Sequence, residues 1–443
     1  MEPTAAPTLA EALHAATETR CLEIGPGVIH HTPRIFKSQF GAQPAIIVAD
    51  YDTFRAAGQT VTDDFRTAGQ SMLEPFLFPD PDLYAEHRYV TELEQVLGRH
   101  NAIPIAVGSG TINDMTKLAV HRLNRPYMAV ATAASMDGYT AFGASITFQG
   151  SKQTFPCGAP VAVVADLDVI DAAPPEMNAW GYADLLAKIP AGADWIIADA
   201  FGVEPIHPQA WAIAQGRLRE NVADPSSTGR LIEGLMLCGL AMQACRNSRA
   251  ASGAEHQFSH LWDMQRHTYH GRAPSHGFKV GIGTLAMAAF YERLLELPLH
   301  EVSTDALCAA WPDEWQWQTT ARRLLGHGAL GDVAAAEIQA KAGGPEALRE
   351  QLLWLRGNWP ALRNRLRAQL MSFAELRQLL QSAGAPVEPE HIGISRQRLR
   401  DSFWPAFLMR RRFTALDLAA RAGVFDQCVN EIFSPRGPWP VSA

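Results

Sequence analysis

Four short apolar runs constrain the fold of this 443-residue chain more than any other feature of its sequence. Each run is five residues long and ends at a small, hydroxyl or acidic residue, and helix-like stretches separate the runs. The runs are Ala45–Ala49, Ile103–Val107, Tyr127–Ala131 and Val161–Ala165. This alternation is typical of βαβ units around a parallel sheet. Because ligands of open α/β sheets bind beyond the carboxyl ends of the strands, the residues after each run are the first candidates for chemistry.

The second half of the chain has a different pattern. From about Ala173, Pro174-Pro175 interrupts the chain, and amphipathic stretches rich in Ala, Leu and Arg follow. We predict helices over Leu231–Cys245, Val280–Leu295, Val333–Lys341, Pro345–Trp354, Ala361–Gln369 and Phe373–Ser382. The predicted fold is therefore an α/β domain over residues 1–172, followed by an all-α domain over residues 173–443.

Charge and cysteine content exclude several function classes. Lys and Arg number 38 against 46 Asp and Glu, so the net charge is −8, and neither nucleic acid nor an anionic membrane is an expected partner. No uninterrupted apolar run approaches the roughly 20 residues that span a bilayer, and the six cysteines include no CxxC pair. We therefore predict a cytoplasmic protein with reduced thiols. The basic run Arg410–Arg412 is interpreted as a solvated helix face or an intramolecular ion-pair partner.

A glycine loop follows the second apolar run and precedes a predicted helix. The loop is Gly108-Ser109-Gly110-Thr111, and the helix starts near Ile112-Asn113-Asp114. A helix N-terminus offers unpaired N–H groups and a partial positive charge, and glycines let a pyrophosphate approach them. We therefore predict a dinucleotide site here. Because Asn113 replaces the third glycine of a GxGxxG motif, a purely structural tight turn is the alternative.

Two further strand ends carry polar residues. Asp50 can accept hydrogen bonds from an adenosine ribose and would repel a 2′-phosphate, which favours NAD over NADP. It precedes the glycine loop, whereas the usual order puts the acidic residue about 20 residues after the loop, so helix capping is the alternative. The stretch Thr132-Ala133-Ala134-Ser135-Met136-Asp137 follows the third run. Asp137 beside Gly138 is also compatible with a simple turn.

Five histidines are concentrated within 21 residues, namely His256, His260, His267, His270 and His276. His256 and His260 lie on one face if residues 255–264 are helical, and neutral imidazole is the commonest metal ligand. A catalytic zinc-like centre needs about three protein ligands, and Asp184, which we place at the start of a helix, is the candidate carboxylate. The residues alone pair His256 with His260 on the metal. Capping by Asp184 and surface or core histidines are the alternatives.

Five motifs in a fixed order resemble those of a known family. They are GSGTINDMTK, TAASMDGYTAFGASI, GYADLLAKIPAGADW, GAEHQFSH and SHGFKVGIGTL. From about Ala45 to Phe433 the chain resembles the sn-glycerol-1-phosphate dehydrogenases, in the superfamily of iron-containing alcohol dehydrogenase, glycerol dehydrogenase and dehydroquinate synthase. The resemblance implies a dehydroquinate synthase-like fold, with an N-terminal α/β dinucleotide-binding domain, a helical C-terminal domain and one divalent metal in the cleft between them.

The resemblance also assigns roles to individual residues. Asp184, His256 and His276 match the metal ligands. Asp137 and His260 match residues that contact the substrate. The resemblance therefore assigns His260 to the substrate and not to the metal. Together with the loop residues above, the candidate cofactor-binding positions are Asp50, Gly108, Ser109, Gly110, Thr111, Ile112, Asn113, Asp114, Thr132, Ala133, Ala134, Ser135 and Ala141. Ala141 stands where the family usually has a serine. Phe278 stands where the wider superfamily often has the glutamate of an HGExV motif.

The implied reaction is the reversible reduction of dihydroxyacetone phosphate to sn-glycerol 1-phosphate, a step of phospholipid biosynthesis. It uses NADH or NADPH and one divalent metal: zinc, nickel or iron. The metal would act as a Lewis acid and draw the ketone oxygen toward Asp184, His256 and His276. His260 would act as proton relay, and Asp137 would orient a substrate hydroxyl. Lys152 and Lys188 are candidates for binding the substrate phosphate, and surface salt bridges are the alternative for both.

Three rival functions stay open at the level of sequence. One is a related metal-dependent dehydrogenase of another small polyol or ketone, and a second is dehydroquinate synthase chemistry. The third is a non-catalytic nucleotide- or metal-binding relative. The expected partner is a small phosphorylated molecule, and the oligomeric state is open, with a homo-oligomer among the alternatives.

Overall fold

Parallel strands form the central sheet of the computed structural model, which describes residues 6–149 and 151–441 and, of Ser151, the backbone alone. The strands are β1 Cys21–Gly25, β2 Ala45–Asp50, β3 Phe76–Phe78, β4 Ile103–Gly108, β5 Met128–Ala131, β6 Ala144–Phe148, β7 Ser151–Phe155 and β8 Ala162–Asp166. Six of them form one sheet in the order β1-β8-β5-β4-β2-β3, in which all neighbours are parallel. Strands β6 and β7 form an antiparallel hairpin.

The four predicted strands are confirmed, and they are the inner strands of the sheet. They correspond to β2, β4, β5 and β8, whose residues are buried almost throughout, because helices cover both faces of a parallel sheet. The two edge strands were not predicted. Strand β1 is only partly buried along its whole length, and β3 has three residues, so neither forms a continuous apolar run.

The register of the sheet brings the candidate cofactor residues together at the carboxyl ends of the strands. Val48 of β2 pairs with Ala106 of β4, so the ladder leads to Asp50 and Gly108 at the carboxyl ends of two neighbouring strands. On the other side of β4, the N–H of Thr132 donates to the carbonyl of Gly108 at 3.2 Å. The three strand ends that sequence analysis selected are therefore consecutive along the sheet.

The helices before Pro174 are α1 Leu9–His14, α2 Thr32–Phe40, α3 Tyr51–Thr53, α4 Gln59–Thr67, α5 His87–Leu97, α6 Gly110–Arg122 and α7 Leu167–Asp171. The next are α8 Pro175–Leu186, α9 Lys188–Ala200, α10 Pro208–Gln215, α11 Leu218–Val222, α12 Thr228–Cys245, α13 Ala254–Met264 and α14 His276–Leu294. The last are α15 Thr304–Ala310, α16 Glu314–Leu325, α17 Ala329–Ala342, α18 Pro345–Gln369, α19 Phe373–Ser382, α20 Arg396–Asp401, α21 Phe403–Leu408, α22 Ala415–Arg421 and α23 Phe425–Ile432.

The second half is helical, as predicted. Over the described residues 173–441 the structure contains no strand, and no helix in the described chain is long and apolar enough to cross a membrane. One helix differs from its prediction. The stretches 345–354 and 361–369, predicted as two helices, belong to the single helix α18, which contains Pro360 in its interior.

The chain divides into two compact units. The first runs to Leu185 and also includes His207–Ala251, and the second comprises Leu186–Ile206 and the chain from Ser252 onward. This division differs from the predicted single boundary after residue 172. Within the first unit, helix α12 is bonded to the loop after β5, because the Thr140 hydroxyl donates to the Met236 carbonyl at 2.7 Å. A helical pattern alone does not indicate which unit a helix will join.

The basic run near the C-terminus is used within the protein. Arg411 forms an ion pair with Glu337 at 2.8 Å, and the Arg412 guanidinium donates to the Ser252 carbonyl at 2.8 Å. Burial lowers the pKa of Arg410. The interpretation of Arg410–Arg412 as an intramolecular ion-pair partner is therefore confirmed for Arg411.

Candidate active site

The N-terminus of α6 lacks a side-chain cap among the described residues. Ser109 occupies the N-cap position, but its side chain makes no capping hydrogen bond to any residue that the structure describes. The first N–H that bonds back into the helix is that of Asn113, to the Ser109 carbonyl at 3.1 Å. The N–H groups of Gly110, Thr111 and Ile112 are the ones that helix geometry leaves without an intrahelical acceptor. This end of α6 therefore suits an anionic group such as a pyrophosphate.

The polar side chains of the first turns of α6 are engaged within the protein. The Asn113 amide donates to the Gly138 carbonyl at 3.3 Å, and its oxygen accepts from the Tyr127 hydroxyl at 3.1 Å. The Asp114 carboxylate accepts from the N–H of Ser145 at 3.0 Å, and burial raises the pKa of Asp114. Cofactor binding by Asn113 and Asp114 remains a prediction.

Sequence analysis overlooked Lys117, one turn further along α6. Its side chain is fully buried, and its ammonium donates to the carbonyls of Gly138, Ala141 and Gly143 at 2.8, 2.9 and 3.0 Å. A buried ammonium with three carbonyl acceptors holds the loop that follows Asp137. A charged residue four positions after Asn113, within a predicted helix that packs on a sheet, was the signal that could have identified it.

Asp50 caps the short helix α3. Its Oδ1 accepts from the N–H of Thr53 at 2.7 Å and lies 2.9 Å from the Thr53 hydroxyl. The capping interpretation is therefore confirmed. Both of these bonds use Oδ1, so a ribose at the same strand end can be bound through Oδ2. Asp50 and the glycine loop occupy neighbouring strand ends despite their order in the chain.

The candidate positions after β5 are largely buried. The Tyr139 hydroxyl donates to the Ala133 carbonyl at 2.7 Å, which fixes the stretch that begins at Thr132. Ala141 packs in a small apolar cluster with Met242 and Ala251. A serine hydroxyl at position 141 would be placed against these apolar side chains, which is consistent with an alanine there.

Helix α8 places Asp184 beside Asp137. Gly181 packs so closely on the Ala134 carbonyl that a side chain at position 181 would overlap it, so the helix runs directly over the stretch after β5. One turn later, Asp184 Oδ2 accepts from the N–H of Asp137 at 3.3 Å, and Asp184 is fully buried. The prediction that Asp184 begins a helix is wrong, because it lies in the last turn of α8.

Helices α13 and α14 bring three of the five histidines together. The imidazole centroids of His256 and His276 are 5.3 Å apart, and that of His260 lies 6.4 and 6.3 Å from them. Ser259 Oγ lies 3.3 Å from Nδ1 of His276. His256 is buried, and its Nδ1 lies 2.7 Å from a carboxylate oxygen of Glu255. Because Nδ1 faces this carboxylate, Nε2 is the nitrogen of His256 that can serve as a metal ligand.

The other two histidines have different surroundings. His267 Nε2 lies 2.7 Å from the Ile392 carbonyl, and its Nδ1 lies 2.8 Å from the Arg398 guanidinium. Burial lowers the pKa of His267. His270 is exposed, and its ring lies 3.9 Å from that of Tyr269. His267 and His270 therefore correspond to the core and surface alternatives.

Asp184, His256 and His276 each offer a ligand atom, and these three atoms all lie within 4.8 Å of one another. Two imidazole nitrogens and one carboxylate oxygen suit a divalent first-row metal such as zinc, nickel or iron. Among the described side chains His260 is not a member of this group, so the pairing of His256 with His260 that the residues alone favoured is not the one with ligand geometry. The donor set therefore fits one divalent cation.

The two lysines proposed for the substrate phosphate differ in burial. Lys188 is the first residue of α9 and is fully buried, so a surface salt bridge is wrong for it. Lys152 is half-buried on β7. A further buried lysine, Lys279, lies one turn after His276 on α14 and is paired with Asp263 of α13.

Known proteins are similar in sequence to this chain over most of its length. The model of a family described as iron-containing alcohol dehydrogenase matches residues 23–174. A glycerol-1-phosphate dehydrogenase, NAD(P)+, of Halalkalibacterium halodurans is 32% identical over 305 residues, which is 64% of this chain and 76% of that protein. The protein of the same name from Geobacillus stearothermophilus is 29% identical over 383 residues, 84% of this chain and 85% of the relative.

A solved structure shares the fold. A probable glycerol dehydrogenase from Sinorhizobium meliloti 1021 superposes with a TM-score of 0.58 at 16% identity, over 94% of this chain and 97% of the other. The parallel sheet and the helical second half thus have the dehydroquinate synthase-like fold of the iron-containing alcohol dehydrogenases. Within that class, the sequence identity to its relatives shows that the chain belongs to the glycerol-1-phosphate dehydrogenase family.

Proposed function

We propose that this protein reduces dihydroxyacetone phosphate to sn-glycerol 1-phosphate with a nicotinamide cofactor and a divalent cation, reversibly. The observation that carries the proposal is the convergence of ligand atoms from Asp184, His256 and His276, with Asp137 bonded to the first of them and His260 near the other two. The names of the relatives support the substrate and the NAD(P) requirement.

The residues of this chain divide the work of the reaction. Asp184, His256 and His276 hold the cation, and the N-terminus of α6 holds the cofactor pyrophosphate. When bound, the cation supplies Lewis acidity at the ketone oxygen, and the nicotinamide supplies the hydride.

Ketone reduction also needs a proton at the oxygen, and His260 is the group proposed to deliver it. Imidazole titrates near neutral pH, so it can exchange protons with water and substrate at working pH. Its ring centroid lies 6.4 Å from that of His256, so a substrate oxygen held beside His256 is also close to His260. Asp137 orients a substrate hydroxyl. The hydrogen bond from its own N–H to the Asp184 carboxylate holds the two residues next to each other.

Asp50 and a buried lysine decide two further parts of the proposed reaction, which are the type of nicotinamide cofactor and the binding of the substrate phosphate. NADH is preferred over NADPH, because the Asp50 carboxylate repels a 2′-phosphate at the strand end beside the glycine loop. Lys188 is preferred over Lys152 as the phosphate partner, because it is fully buried and begins α9, four residues after Asp184 in the chain. A buried ammonium gains more from a phosphate than an exposed one does.

The test is a spectrophotometric assay of NADH oxidation with dihydroxyacetone phosphate, run with and without a chelator. We expect turnover that the chelator abolishes and that added zinc or nickel restores. Unphosphorylated dihydroxyacetone should react at least tenfold more slowly, because one charged contact to the phosphate is worth about 1.5–3 kcal/mol. Chelator-insensitive turnover would refute the metal role. Equal rates with both ketones would instead favour the related dehydrogenase of another small ketone.

A further inference from the structure

We propose that Glu255 is a positioning residue for the metal centre, which holds the His256 imidazole with Nε2 directed at the cation and whose negative charge strengthens His256 as a ligand. This inference rests on the proposed role of His256 as a metal ligand. It concerns a residue outside the proposed group of metal ligands.

The contacts of Glu255 support this role. Its side chain is fully buried, and Oε1 lies 2.7 Å from His256 Nδ1. The same oxygen accepts from the N–H of Gly253 at 2.6 Å, which fixes the orientation of the carboxylate. A carboxylate can only accept, so His256 Nδ1 must carry the proton and Nε2 keeps its lone pair. A carboxylate behind the distal nitrogen of a metal-bound histidine raises the basicity of that ligand.

The second oxygen of Glu255 indicates that the carboxylate is costly to the fold. Oε2 is buried and has no hydrogen-bond partner within the described part of the chain. It shares its surroundings with another buried carboxylate, because an ideal Cβ at Gly253 would lie 2.5 Å from Asp194 Oδ2 and 2.8 Å from Glu255 Oε2. Burial, together with the charge of Glu255, raises the pKa of Asp194 to about 7.

A purely structural role does not explain this arrangement. Asp194 is well satisfied, because it accepts from the N–H groups of Ala254 and Ala415 at 2.7 and 2.8 Å and from the Tyr291 hydroxyl at 2.5 Å. Among the described residues Glu255 has no lysine or arginine in its ion pairs, only His256. A cation bound to His256 supplies the positive charge that compensates the buried carboxylate.

The experiment measures the zinc affinity of the 443-residue protein by competition with a chromophoric chelator, and the melting temperature of the metal-free protein. Glu255→Gln keeps the shape and can keep the acceptor for His256, but it removes the charge. Glu255→Ala removes both. Gly253→Ala leaves every ligand and charge in place, but its added methyl group would overlap the carboxylates of Asp194 and Glu255 and the Cα of Ala191, so the Glu255 carboxylate must shift. The matched control is Asp417→Asn, a buried carboxylate paired with Lys341 in the same unit.

We expect the zinc dissociation constant to rise about tenfold in Glu255→Gln and up to about a hundredfold in Glu255→Ala, which is the usual range for such outer residues. The melting temperature of metal-free Glu255→Gln should not fall, since the new amide group faces Asp194 across Gly253. Gly253→Ala should weaken zinc binding in the same direction. Asp417→Asn should lower the melting temperature and leave zinc affinity unchanged.

Wild-type zinc affinity in both Glu255 variants, with folded protein, would overturn the inference. A lowered melting temperature of metal-free Glu255→Gln with unchanged zinc affinity would assign Glu255 a structural role and overturn it equally. His256→Ala separates this failure from failure of the proposed function. If that variant still binds zinc with wild-type affinity, the ligand assignment itself is refuted.

Discussion

The glycine-loop region at the start of α6 and the histidine region of α13 and α14 present their chemistry in opposite ways. At α6, the polar side chains of Asn113, Asp114 and Lys117 all bond within the protein, and the main-chain N–H groups of the first turn are left for a ligand. In the histidine region, the side chains of His256 and His276 are the proposed ligand groups. Residue type is therefore a direct guide to chemistry in the second region and an indirect one in the first.

The two regions should also differ in how strongly they respond to single substitutions. A main-chain site needs few particular side chains, but it depends on a loop being held in one conformation. A side-chain site depends on individual donor atoms, so a single substitution removes a function outright. We therefore expect the largest losses of activity in the histidine region and effects on stability or cofactor choice in the glycine-loop region.

His256→Ala should have the largest effect. Loss of one of three ligands should abolish metal binding and lower kcat/KM for ketone reduction about a thousandfold, since Lewis-acid stabilisation is worth several kcal/mol. Metal content and steady-state kinetics measure this. The matched control is His267→Ala, which should keep both metal and turnover and lower only the melting temperature, because His267 bonds to Ile392 and Arg398. Full activity in metal-free His256→Ala would contradict the Lewis-acid role.

His260→Ala should have the next largest effect. Loss of the proton relay should lower kcat about a hundredfold, within the usual contribution of general acid catalysis. The metal content should stay at the wild-type level, because His260 is outside the group of three ligands. Loss of metal in this variant would instead restore the pairing of His256 with His260 that the residues alone suggested.

Lys117→Met tests the main-chain region. Three carbonyls would lose a charged donor inside the protein, so the free energy of unfolding should fall by about 3 kcal/mol. Urea denaturation measures the change. Lys37→Met, at an exposed lysine of α2, is the control and should change stability by less than about 0.5 kcal/mol. Wild-type stability of Lys117→Met would show that the loop after Asp137 is held by other contacts.

Asp50→Ala should have the smallest effect on activity, a change in cofactor choice, and it also removes the cap of α3. Loss of the carboxylate removes a ribose acceptor and the repulsion of a 2′-phosphate, so the ratio of kcat/KM for NADH over NADPH should fall about tenfold, which corresponds to about 1.4 kcal/mol. Asp52→Ala, at an exposed neighbouring carboxylate, is the control and should leave the ratio unchanged. An unchanged ratio in Asp50→Ala would leave Asp50 only the capping role.

The central strands could be predicted from the sequence because they are buried on both faces and form continuous apolar runs. The edge strands β1 and β3 could not, because they are partly exposed or very short. The division of the helices between the two units was also beyond sequence reasoning. The amphipathic pattern of α12 indicates a buried face but not which element covers it.

For the candidate site, too, the sequence indicated which residues matter but not how their side chains are arranged. Residue types selected the histidines and Asp184. The sequence prediction put Asp184 at the start of its helix, whereas it lies in the last turn of α8. Side-chain direction was not predictable for Asn113 and Asp114, whose polar groups turn towards the Asp137 loop and the β6–β7 hairpin. Glu255 gave no signal either, because adjacent residues on a helix do not normally face each other, and its contact with His256 arises at the first turn of α13.

The neighbouring positions of β2 and β4 have a consequence for how such proteins are recognised. The proposed nucleotide site lies at the carboxyl ends of these strands, where an acidic residue and a glycine turn are side by side. The same pair of features can therefore be produced by chains that visit the two strands in either succession. A search that demands glycines first and the acid afterwards would pass over this protein, whereas one that asks which strand tips are adjacent would find it.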